Sequence, residues 1–201
     1  MIITKKRVIF IILLFLVVLF IGSVLLFVFI PPRAIVLDIQ VTPLQTFFGG
    51  EKSTPKERVW EILEYAFQNG KKSSDISAQC ITDSEFLPSE DPYDYSMVTL
   101  QMTVKSRSIW KSTLPFALVD SCNNSSQILI CVPAATYCVK TERFVQESKM
   151  RFQFYIFTKD KTEDEIEEAL HSIILQIPYS NRVHSGDSIY VDCKGADIIF
   201  K

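Results

Sequence analysis

The sequence has only two histidines and no Cys-x-x-Cys pair. His171 and His184 stand at no ligand spacing from the cysteines, so a structural zinc site has no obvious ligand set. The G-x-S-x-G, H-E-x-x-H and P-loop patterns are absent. With them go the common sequence signatures of hydrolases, metalloproteases and nucleotide-binding enzymes. His184-Ser185-Gly186-Asp187-Ser188 places histidine, serine and aspartate side by side. A triad draws these groups from distant segments, so this stretch reads as a loop entering a strand. No catalytic, cofactor-binding or metal-binding residue is expected, and an enzyme is not the favoured reading. A basic stripe is also missing. All 23 Asp/Glu follow residue 30, whereas three of the 21 Lys/Arg precede residue 8. The remainder is therefore mildly acidic, which argues against nucleic acid and against a surface that clings to anionic lipid.

Charge is missing altogether from residues 8–30. Every residue there is Val, Ile, Leu or Phe except Gly22 and Ser23. As a helix, the segment would rise about 35 Å, enough to cross a hydrocarbon core of about 30 Å. It shows no polar face, as a water-soluble helix would. The lipid bilayer is the partner expected for residues 8–30. Lys5, Lys6 and Arg7 precede this segment, and only Arg33 closely follows it. Retention of positive charge on the cytoplasmic side predicts a cytoplasmic 1–7 and an extracytoplasmic 31–201. A cleaved signal peptide starts the same way, but its apolar run is shorter and ends at small residues. An uncleaved signal anchor is the reading adopted, making this a type II, single-pass topology.

About 170 residues then remain for one domain with a hydrophobic core. All five cysteines lie in it, at Cys80, Cys122, Cys131, Cys138 and Cys193. An oxidising exterior would pair some of them. Cys122–Cys138 is the expected local bridge and Cys80–Cys193 a candidate clamp. Cys131 is left as the free or intermolecular thiol, through which a disulfide-linked homo-oligomer could form. Buried free thiols are the competing expectation. The polar turn around Asn123 and Asn124 holds two overlapping N-glycosylation acceptors.

The remaining patterns give elements in order. Residues 34–41 read as a strand. Residues 54–70 read as a helix, with a Thr54-x-x-Glu57 capping box and Val59, Ile62, Leu63, Ala66 and Phe67 on one face. A short strand is expected near 76–81. Residues 83–94 form an acidic, proline-containing loop whose spacing fits no EF-hand. Strands follow at 95–104, 114–119, 127–132 and 151–158. Residues 162–177 read as a second helix, with Thr162 and Glu165 as its capping box and Ile166, Ala169, Leu170, Ile173, Ile174 and Ile177 inward. His171 falls on its solvated face. Strands at 188–193 and 196–200 close the chain around Lys194-Gly195.

These elements predict an α+β fold: an antiparallel sheet with two helices on one face, a ferredoxin-like variant with a cysteine-rich insertion. Extracellular SEA modules have a similar order, although Gly186 is followed by Asp187 and not by the serine of a self-cleaving site. Phe29-Ile30-Pro31-Pro32-Arg33-Ala34-Ile35 and Tyr190-Val191-Asp192-Cys193 resemble the two ends of the luminal region of the transmembrane protein 106 family, lysosomal type II glycoproteins. That resemblance implies a β-sandwich, whereas the two capped helices point to α+β. The expected function is an extracytoplasmic interaction domain with a protein partner. A membrane-tethered hydrolase or thiol enzyme, or an accessory subunit of a membrane complex, is the alternative.

Overall fold

The computed structural model describes residues 5–29, 31–48, 54–72, 85–105, 112–114, 118–121, 130–136, 139–141, 147–180 and 185–201. The strand expected at 76–81 lies outside them. Helix α1 (Lys5–Phe29) has no buried residue between Val8 and Leu25, and is long and apolar enough to cross a membrane.

Three residues later the chain enters β1 (Arg33–Pro43), followed by the short α2 (Leu44–Phe48) and α3 (Lys56–Lys72). The carbonyl of Pro55 accepts from the Arg58 and Val59 amides and opens α3. The helix runs two residues past the expected stop at Gly70. Its apolar stripe buries Val59, Leu63 and Phe67. Strand β2 (Tyr95–Lys105) pairs antiparallel with both β1 and β7 (Ser148–Phe157), and β5 (Ile130–Thr136) lies on the far side of β7. The last strand, β10 (Asp197–Phe200), joins β1 in parallel. Sheet A is therefore mixed, in the order β10-β1-β2-β7-β5.

A second sheet forms around β8 (Ile174–Ser180). Strand β9 (Ser185–Asp192) pairs with one edge. Strands β4 (Leu118–Ser121) and β3 (Ser112–Leu114) both pair antiparallel with β8, and β6 (Val139–Thr141) continues from β3. One buried cluster joins the sheets. Ile39, Leu100, Met102, Phe152 and Phe154 of sheet A meet Leu114, Leu175, Ile177 and Val191 of sheet B. Helix α4 (Glu163–His171) adds Ile166, Ala169 and Leu170 to the same cluster. The opposite face of sheet A is covered at one end by α2 and α3. There Leu44, Val59, Leu63 and Phe67 meet Tyr95, Met97 and Tyr155.

Four expectations change. The strands form two packed sheets instead of one ferredoxin-like layer, and sheet A is not wholly antiparallel. The helices contribute to opposite faces of sheet A, not to one. The helix expected over 162–177 ends at His171, and Ile174 and Ile177 belong to β8. Its start is as expected: Thr162 and Glu165 form a reciprocal capping box. At its end, the Ser172 hydroxyl donates to the Ala169 carbonyl at 2.7 Å. Such a local bond competes with continued helix. Beyond it the burial period becomes two: Ile173, Leu175, Ile177 and Tyr179 are buried, while Ile174, Gln176 and Ser180 are not. Ile173 and Ile177 satisfy both periods, which is why a helix face could be drawn through them.

Candidate functional site

Cys193 follows β9 and is almost completely buried, at 1% exposure. Its thiol is free in this structure, and Cys80, its expected partner in a clamp, lies outside the described residues. The Cys193 amide donates to the Ile173 carbonyl at 3.0 Å, fastening the end of β9 under α4. Burial, with a smaller contribution from Asp192, pushes the thiol up to about 12. It is therefore protonated near neutrality and a poor nucleophile. Cys80, Cys122, Cys138, Asn123, Asn124 and His184 lie outside the described residues. Cys131 belongs to β5, but its side chain lies outside them too.

The turn Lys194-Gly195 carries the chain from sheet B to sheet A. Gly195 has φ +88°, a left-handed conformation that suits glycine. A cleft lies on either side of this turn. One, of about 560 Å³, is lined by Asp164, Glu167, Glu168, His171, Ser172 and Lys194. The other, of about 280 Å³, runs from Ala34–Val36 to the segment Tyr190–Ala196. The first is an acidic helix face opposed by one lysine. Among the described residues no group of three His, Cys, Asp or Glu is arranged to hold a metal ion.

His171 is not the solvated surface residue expected. It is half-buried, and its Nε2 lies 3.0 Å from the Ala196 carbonyl oxygen. Its Nδ1 faces Glu167 at 3.9 Å. The ring thus ties α4 to the start of β10. The pairing joins residues 25 apart, and no local pattern encodes it. The His-Ser-Asp neighbourhood is also dispersed. Asp187 accepts from the Tyr179 hydroxyl at 3.4 Å, and Ser188 accepts from Gln176 at 3.0 Å. Burial and the Asp187 charge hold the Tyr179 hydroxyl above its usual range.

The acidic segment before β2 is a clasp. Asp91 caps the short 3-10 turn Pro92–Asp94 by accepting from the Tyr93 amide. Lys56, at the start of α3, reaches Asp91 at 2.6 Å and lies over the Tyr93 ring. Lys159 bonds Asp94 at 2.9 Å. Ser89 bonds Asp94, and its carbonyl accepts from the Tyr95 hydroxyl. The bond to Lys56, then that from Tyr93, holds Asp91 below the usual aspartate range. Lys56 is correspondingly raised by Asp91, and Lys159 by Asp94. Asp91 and Asp94 of this acidic segment are thus engaged by lysines.

Together these features describe an α+β domain of two packed sheets following an apolar helix. Comparison with family models, curated proteins and solved structures returns no match to this chain.

Proposed function

We propose that the chain is a single-pass membrane protein that displays its two-sheet domain on the extracytoplasmic side and works there by binding a protein partner. The observation carrying this reading is α1, an uncharged apolar surface from Val8 to Leu25 that the domain leaves wholly uncovered. In water such a surface would be strongly unfavourable; in lipid it is at home. Lys5, Lys6 and Arg7 support a cytoplasmic N-terminal end. A thiol enzyme gains nothing from Cys193, whose sulfur is buried and protonated. Glycosylation at Asn123 or Asn124 and a Cys122–Cys138 bridge belong to the same proposal, as do a protein partner and a second copy held through Cys131.

Protease added to sealed vesicles tests the topology. Residues 34–201 should survive until detergent is added, and their digestion without detergent would overturn it. Crosslinking in native membranes tests the binding role. A discrete adduct, competed away by excess unlabelled protein, is expected; crosslinks without competition would count against a specific partner.

A further inference from the structure

The face of sheet A opposite the intersheet core is covered by α3 only at the end far from α1. At the near end, alternation decides what it presents. Met102, Val104, Met150 and Phe152 turn into the core. Arg33, Ile35, Thr103, Lys105, Lys149 and Arg151 turn the other way. The register aligns them in rows: Arg33 with Lys105, then Ile35 with the buried Thr103 and with Lys149, then Asp38 with Gln101 and Arg151. Arg33, Lys105, Lys149 and Arg151 are exposed, and Ile35 is 54% exposed. Leu37, at the β1 irregularity, is exposed beside them. Glu147 lies 3.5 Å from Lys105. Asp38 and Asp197 stand further along, on the β10 side, where Gln40 bonds Asp38. The two rows nearest α1 therefore hold three cations, one carboxylate and an exposed isoleucine.

Their distance from lipid is set by the chain itself. Helix α1 is about 37 Å long, so both its ends enter the headgroup layers of a 30 Å core. Only three residues separate Phe29 from Arg33, a span of at most about 14 Å. Lys105 is one strand spacing from Arg33 and Lys149 about two, roughly 5 and 10 Å. Lysine and arginine stems span apolar surface while their heads stay polar, which suits the boundary around Ile35.

We propose that Arg33, Lys105 and Lys149, grouped around Ile35, dock on the net-anionic lipid headgroups of the bilayer that α1 crosses. The domain then lies against its own membrane. This rests on α1 being membrane-inserted. The mildly acidic balance of the whole domain does not oppose it, because the two rows nearest α1 carry an excess of cations, Asp38 enters only in the third row, and contacts with headgroups act within about a Debye length, near 8 Å at physiological salt.

Amine footprinting of the full chain tests this in vesicles of phosphatidylcholine alone and with phosphatidylglycerol. Lys105 and Lys149 should label several-fold more slowly with phosphatidylglycerol, and high salt should restore the rate. Lys159, beyond the far end of β7, should label equally in both. Arg33→Glu with Lys149→Glu, both at exposed positions, should return Lys105 to its phosphatidylcholine rate. Equal labelling of Lys105 and Lys149 in both vesicle types, or persistent protection of Lys105 in the double variant, overturns the docking. Alkaline carbonate separates the two ideas. Protein that stays with the pellet yet shows no protection loses only the docking; protein that is extracted loses the anchor and the docking with it.

Discussion

Thr103 sits in the middle of β2 with its hydroxyl buried and without a hydrogen-bond partner. A buried hydroxyl left unsatisfied costs about 1–3 kcal/mol, and replacement by an apolar group of the same shape removes that cost. Thr103→Val should therefore leave stability unchanged or raise it by about 1 kcal/mol in denaturant unfolding. A clear loss would mean that the hydroxyl has a partner in solution. Asp91 makes the opposite case. Its carboxyl is held low by Lys56 and Tyr93, so its contribution is present above the ordinary aspartate value of 3.8 and fades as pH falls through the lowered folded value. Lys56 is raised, so its share persists below 10.5 and is lost as pH rises through the higher folded value. Asp91→Asn should lower the unfolding midpoint near neutral pH, and the gap from the unsubstituted protein should close at strongly acidic pH. A gap that is constant with pH would assign the effect to something other than charge.

At the scale of elements, the boundary between α4 and β8 separates two readings of the same residues. A helix through 177 would bury Ile174 and leave Leu175 wet. In the strand, Leu175 is fully buried and Ile174 is 36% exposed. Leu175→Ala should cost about 2–5 kcal/mol, as core truncations do, and Ile174→Ala well under half of that. Reversed costs would restore the helix. The elements legible in the sequence were those whose pattern is local: β1, α3, β2, β7 and the Thr162 cap of α4. Each has a period or a capping pair within about a turn or two of itself. The partition into two sheets was not legible, because β8 takes β3 and β4, and β10 takes β1, from far away in the chain. The site fared likewise. Helix phase reports only its own helix and so places His171 in water, whereas Ala196 is brought to it by the crossing at Lys194-Gly195. The lysines that neutralise Asp91 and Asp94 come from α3 and from beyond β7.

For the whole molecule, two facts about the first strand meet. It is joined to α1 by three residues, and it lies inside sheet A between β2 and β10. Removing β10 should therefore affect more than a loose end. Deletion of 197–201 removes Ile198 and Phe200 from the margin of the core and the bond from the Lys201 amide to Val41. It also exposes one edge of β1. An uncovered edge is a template for pairing with other chains. The truncated protein should aggregate in detergent at concentrations where the full chain stays monodisperse by light scattering; equal behaviour would mean that β10 is dispensable.

The parallel pairing of β1 with β10 also sets a schedule. Ribosomes add about 5–20 residues per second, so roughly 10 to 30 s pass between completion of β1 and synthesis of residue 200. Throughout that interval one side of β1 waits for a neighbour that has not been made. A local element such as α3 can form early, and β1 can pair with β2 once residue 105 is made; the fold closes late. Quality control during biogenesis would thus meet this protein as a half-finished sheet, and a chaperone holding that single edge would be enough to keep it from pairing with a nascent neighbour.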